Sequence, residues 1–146
     1  MLKTIRESWG WTGLDPVQVV ATNAFGALIL RAGNGSYWRI RHEDLSCEMV
    51  AKSEREYESL WANAEFQVDW QMSRLVRIAE ESLGVVASDC CYCLKVPAVL
   101  GGTYHRENFA TVSRRELTAL SGDVARQMKD LPEGSTVTFK IRQGCD

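Results

Sequence analysis

The chain has 146 residues, 45% hydrophobic and 25% charged, which is the make-up of one globular domain with one core and excludes disordered, collagenous and coiled-coil chains. The net charge of −2, from 17 Lys+Arg against 19 Asp+Glu, lacks the uniformly basic surface that grips phosphates, so direct nucleic-acid binding is not expected. No apolar run approaches the ~20 residues that cross a bilayer, and residues 1–7 lack the apolar stretch of a signal peptide, so the expected location is the cytoplasm, with no membrane contact.

Leu2, Ile5 and Trp9 mark one face of a short helix bracketed at its end by Gly10 and Gly13. Two β-rich runs follow, Val17–Val20 after Pro16 and Phe25–Leu30, separated by the turn-prone Thr22-Asn23. Gly33-Asn34-Gly35 tolerates positive φ and predicts a hairpin into Ser36–Ile40, and a further short strand is expected at Cys47–Ala51.

Ser53-Glu54-Arg55-Glu56 has the form of a capping box, so a helix carrying Tyr57, Leu60 and Trp61 on one face begins there. From about Glu65 to Leu83 the spacing predicts one longer helix with Val68, Met72, Leu75, Val76, Ala79 and Leu83 on its core face, stopped by Gly84. Phe66 and Trp70 fall on the opposite side, where Tyr57 or Trp61 covers them or they stay open to a partner. Cys91–Val96 reads as a strand ending at Pro97, followed by a glycine-softened turn through Val99–Tyr104. Ser113-Arg114-Arg115-Glu116 is a second capping box, opening a helix with Leu117, Leu120, Val124 and Met128 along a narrow seam that ends before Pro132. Thr136–Arg142 alternates strictly and predicts a strand. Strands and helices cluster rather than alternate as βαβ units. The expected architecture is therefore α+β: a mainly antiparallel sheet with about four helices packed on it, in a single domain spanning 1–146.

Catalytic patterns are missing from the sequence. It has no phosphate loop, nucleophile elbow, zinc-binding H-E-x-x-H or dinucleotide fingerprint. The five cysteines (Cys47, Cys90, Cys91, Cys93 and Cys145) are odd in number and, without an export signal, read as reduced thiols. Along a strand Cys91 and Cys93 share one face and Cys90 the other, and no C-x-x-C pair occurs, so neither a metal site nor a bound cofactor is expected. Cys93 with His105 is conceivable as a nucleophile and base, but cysteines inside a strand are ordinarily core.

Charge distribution says more than its sum. Residues 1–42 hold five basic and two acidic groups, whereas 43–81 hold four basic against ten acidic, a local balance of −6. An acidic surface carrying aromatic side chains suits a basic protein partner, such as an enzyme whose cleft holds nucleic-acid phosphates.

Three separated blocks then accumulate into a resemblance. They are Tyr37-Trp38-Arg39-Ile40 with Glu43-Asp44-Leu45-Ser46-Cys47-Glu48, the run from Cys91 through Lys95-Val96-Pro97 to Gly101-Gly102-Thr103-Tyr104, and Ser121-Gly122-Asp123 onward to Pro132-Glu133-Gly134. Their order and spacing resemble the C-terminal domain family of Tdi-type immunity proteins of bacterial type VI secretion. The resemblance implies a cytoplasmic, non-enzymatic, antitoxin-like protein that binds and neutralises a cognate secreted effector, a DNase for the named members. Larger relatives carry an additional N-terminal GAD-like domain, and this chain starts near the family's own start. Where relatives often place a proline before the Glu-Asp-Leu turn, Arg41-His42 stands here. Inhibition by surface occlusion is the expected mechanism. The expected partner-binding residues are Glu65, Phe66, Asp69 and Trp70 on the outer side of the long helix, Glu80 and Glu81 near its end, and Tyr104 beside the glycine turn. A small thiol-dependent enzyme or regulator using Cys90, Cys91 and Cys93, or a stand-alone interaction module, are the alternatives.

Overall fold

An antiparallel meander fills the first third of the chain: β1 (Pro16–Thr22), β2 (Leu28–Ala32), β3 (Tyr37–Arg41) and β4 (Ser46–Ala51) pair in that order. The computed structural model describes residues 1–132 together with 134 and 135, and the alternating segment 136–142 lies outside the described residues. Because side chains alternate along a strand, this sheet has two faces to cover. On one face Leu28, Leu30 and Ile40 pack against Ile5 and Trp9 of α1 (Leu2–Trp9). On the other, Ile29, Tyr37 and Ala51 pack under α2 (Glu54–Trp61) and α3 (Ala64–Gln71).

Beyond these comes α4 (Ser73–Leu83), and then a two-stranded antiparallel sheet of β5 (Cys90–Leu94) and β6 (Phe109–Ser113). Tyr92, Leu94 and Phe109 face Leu75, Val76 and Ala79 of α4, whereas Cys91, Cys93 and Val112 face Leu117 of α5 (Arg114–Lys129). α5 thus bridges the two sheets, with Leu117 on the second and Ala125 in the core of the first. The α+β expectation is borne out, with the strands divided between two antiparallel sheets rather than gathered in one.

The serine half of each expected capping box forms. Ser53 Oγ accepts the Glu56 amide at 3.3 Å, and Ser113 Oγ accepts that of Glu116 at 3.0 Å. The Glu56 carboxylate reaches back to the amide of Lys52, at 2.7 Å, rather than to that of Ser53.

The single long helix over 65–83 is a correction. Met72 takes a left-handed conformation, φ 50° and ψ 37°, and breaks it into α3 and α4. The cause lies in the first sheet's turn. Asn23 Nδ2 donates to the Trp70 carbonyl at 2.9 Å, and a continuous helix would need that carbonyl for the amide four residues on. The same side chain explains why β2 begins at Leu28 and not at Phe25. Its Oδ1 accepts the amides of Phe25 and Ala27, each at 3.0 Å, and curls 23–27 into a turn with Gly26 at φ 77°. Substituting Gly26 would be strained on two counts, since a Cβ there would also lie 2.8 Å from the Cys91 sulfur.

Candidate functional site

The segment between β5 and β6 closes on itself as a compact loop from 95 to 108. Asn108 holds it at the neck: its Oδ1 accepts the Val96 amide at 3.0 Å, and its Nδ2 donates to the carbonyls of Val96 at 2.9 Å and Thr103 at 2.8 Å. The Lys95 amide donates to the Asn108 carbonyl at 2.6 Å. These bonds also end β5 at Leu94, two residues short of the expected strand end. Within the loop, a 3-10 turn (Ala98–Leu100) follows Pro97, and the Gly102 amide returns to the Pro97 carbonyl at 3.0 Å. Gly102 is required there, because a Cβ would sit 1.8 Å from the Val96 carbonyl oxygen. The closure carries Tyr104 to the α3–α4 junction, where it lines a cleft with Arg41, Val68, Asp69, Met72 and Leu75.

The floor of that cleft is fixed by a cation inside the protein. Arg39 projects from β3 with its side chain 9% exposed, and its Nη1 donates to Asp69 Oδ2 at 2.8 Å. Its guanidinium lies 5.2 Å from the Trp70 ring centroid and 5.7 Å from that of Phe66, so two aromatic faces share the charge. Arg41 stands 3.9 Å from the same Asp69 oxygen and 3.2 Å from Asp44. Asp69→Asn is expected to cost about 1–3 kcal/mol, the worth of a charge-assisted bond to a group that burial leaves few other partners. Arg39→Met, which removes the cation itself, is expected to cost less because it leaves no buried charge unmatched. Urea midpoints of the two variants test the order.

The structure sorts the expected binding residues. Asp69 and Tyr104 meet in one cleft. Glu81 lines a second, with Ile78, Leu83, Lys95, Arg106 and Glu107, at the other end of α4. Glu65 and Glu80 are exposed. Trp70 departs from expectation. It is 6% exposed, and with Phe66 it is covered by Trp61 in edge-on contacts at 5.7 and 4.9 Å. The covered alternative for these two rings therefore holds, and Trp70 does not stand on an outer face. The reason is the break at Met72, which lets α3 tilt its aromatic side onto the sheet. Sequence reasoning missed Val68. It was placed on the core face of the imagined long helix, yet it is 73% exposed at the rim of the Tyr104 cleft.

Behind the loop lies a cluster of polar groups. His42 Nε2 donates to the Gly26 carbonyl at 2.7 Å, which leaves Nδ1 to accept from Ser121 Oγ, also at 2.7 Å. Burial lowers the pKa of the imidazole to about 4. Glu43, beside it, is 4% exposed, and burial raises its carboxyl above the ordinary range. Cys47, Cys91 and Cys93 are free thiols. Burial pushes Cys47 up to about 11 and Cys91 up to about 12, and Cys93 higher still. Thiols held that far from ionisation are poor nucleophiles and poor metal ligands at neutral pH. Among the described residues no three His, Cys, Asp or Glu side chains gather as a metal-holding group, and no helix is long and apolar enough to cross a membrane.

The loop and the helix junction together present a cleft, an exposed apolar side chain and a tyrosine. Residues 51–125 match the family described as T6SS immunity protein Tdi1, C-terminal, and the chain belongs to that family. The match covers α2 through most of α5, and with them both clefts' helical walls and the whole of the 95–108 loop. No curated protein matches the chain.

Proposed function

We propose that this chain is a cytoplasmic immunity protein that transforms no substrate and neutralises a cognate type VI secretion effector, a nuclease, by covering it with the face formed by α3, α4 and the 95–108 loop. Membership of the immunity family supplies the class of partner. The observation that carries the choice of surface is Val68, 73% exposed beside Tyr104 in a cleft whose other walls are Met72, Leu75, Asp69 and Arg41. An apolar anchor ringed by polar groups is the arrangement that concentrates binding energy. The balance of −6 across residues 43–81 would steer a basic partner onto it and speed capture. Glu65, Asp69, Glu80 and Glu81 serve that steering in this reading. Phe66 and Trp70 support the surface from beneath, and Tyr104 touches the partner. The thiol-dependent alternative draws no support from cysteines whose pKa values are raised by burial.

The test is affinity capture of the product of the neighbouring open reading frame. Val68→Asp and Tyr104→Ala are each expected to weaken capture about tenfold or more, the loss typical of a central contact. Cys91→Ala and Cys93→Ala are expected to leave it intact. Gly102→Ala, which must reshape the loop, is expected to weaken capture while the circular dichroism of the body is retained. Full capture by both cleft variants would sink the choice of surface. Turnover that depends on the thiols, with no complex formed, would sink the immunity reading.

A further inference from the structure

The loop that carries Tyr104 rests on a buried acid. Glu43 lies in the turn between β3 and β4, and its backbone carbonyl accepts the Val99 amide of the loop's 3-10 turn at 3.2 Å. Glu43 also lines a small cavity of about 10 Å³, with Phe25, His42, Cys93, Leu94, Pro97 and Leu117 as its other walls. That volume holds about one water molecule. Glu43 Oε1 is buried there without a hydrogen-bond partner. Pro97, the loop's first turn residue, is thus both a wall of the acid's cavity and a support for the turn.

We infer that Glu43 is the latch of the 95–108 loop: as a neutral acid it lets Pro97 and Val99 seat against the body, and as a carboxylate it releases them. A neutral carboxyl tolerates an apolar cavity far better than a charged one does, because only the charged form loses a large hydration energy on burial. Once ionised, Glu43 needs donors that the cavity walls do not provide. His42 has both ring nitrogens engaged, by Gly26 and Ser121, on the side away from the loop. Cys93 brings a weakly donating thiol, and Asp44 and Tyr104 add no positive charge. The acid's own backbone amide, and then Arg41 and Arg39 on β3, favour the carboxylate, but the two arginines are ion-paired to Asp69 and Asp44, and burial outweighs all three. The element that can yield is the loop, whose Val96 and Val99 side chains are exposed, so that Pro97 and the Val99 amide are what seat it. Lifting Pro97 admits water to the acid and removes Tyr104 from its cleft.

Amide hydrogen exchange of Val99 and Leu100, corrected for the intrinsic pH dependence of exchange, tests this in the free protein. The opening equilibrium is expected to rise up to about tenfold per pH unit from the ordinary glutamate value to the raised one, and to level off above it. Glu43→Gln keeps the shape without the charge and is expected to hold the loop closed, with exchange flat over the same range. Amides of the β5–β6 ladder serve as the control and are expected not to follow. A direct carbon-13 titration of the Glu43 carboxyl in the unaltered protein keeps the inference testable even if the variant misfolds. An ordinary titration midpoint, or loop exchange identical in Glu43→Gln and the unaltered chain, would overturn it. None of these readouts needs the effector, so they stand or fall apart from the proposed docking surface.

Discussion

Gly122→Ala is expected to destabilise the protein by about 1–3 kcal/mol and Gly122→Val to prevent folding, although the substitution lies in the middle of a helix, where alanine ordinarily gains about 1 kcal/mol over glycine. The reason is the approach of α1 to α5. A Cβ on Gly122 would lie 2.4 Å from the Ser8 carbonyl oxygen, 2.7 Å from Ser8 Cβ and 2.8 Å from the Ser8 carbonyl carbon. Two of these three atoms are main chain and cannot rotate aside. The helices are also tied at this contact: Trp9 Nε1 donates to the Thr118 carbonyl of α5 at 3.0 Å. Parting them to admit a methyl group would stretch this bond and open the packing of Ile5 and Trp9 against the sheet. The check is a urea denaturation of Gly122→Ala beside the unaltered protein; a higher midpoint in the variant would mean that propensity, not close approach, decides this position.

The same contact shows what the sequence motifs record. Ser121-Gly122, in the third of the blocks by which the chain resembles the immunity family, performs two internal tasks: Ser121 bonds His42, and Gly122 admits α1. Tyr37, Leu94 and Pro97, from the first two blocks, are also buried. These block residues therefore serve the packing of the fold.

Local signals in the sequence carried the regular elements well. The two serine caps and the hairpin glycines before β3 each depend on neighbours a few residues away, and each is found where the spacing put it. What escaped the sequence depends on residues far apart in the chain. Asn23 reaches across to the Trp70 carbonyl and breaks a helix whose apolar period runs straight through Met72. From periodicity alone Val68 belonged inside and Trp70 outside; the break reverses both. Asp69 and Tyr104, 35 positions apart, share a cleft because Asn108 and Gly102 fold the loop back, and no periodicity reports such a return. Nor does any local signal mark Arg39 as buried, because the carboxylate and the two rings that hold it come from α3, some 30 residues away.

His42 and Glu43 are adjacent in sequence and opposite in their pH linkage, so each is expected to hide the other. His42 has a folded pKa near 4, below its ordinary 6.5. Its stabilising contribution is therefore complete above 6.5 and is lost as pH falls towards 4, because the unfolded chain takes up a proton that the folded one refuses. Glu43 has a folded pKa above its ordinary value, so its contribution is complete at acid pH and is lost as pH rises through the raised value. From the ordinary glutamate value up to the raised one, the slope of Glu43 opposes that of His42, so the unaltered protein's pH dependence from this pair is shallower than that of His42 alone. Glu43→Gln is expected to unmask His42: stability then falls by about 1.4 kcal/mol for each pH unit below 6.5, roughly 3 kcal/mol by the time the imidazole is charged. His42→Gln is expected to lower stability throughout, through the Gly26 and Ser121 bonds it disturbs, and to reverse the slope, so that the variant gains as pH falls towards 4.5. Chemical denaturation of the three proteins at half-unit steps from pH 4 to 8 reads both effects. The same falling slope in Glu43→Gln and in His42→Gln would mean that the acid loss belongs to other groups, and that this pair is not held neutral inside the fold.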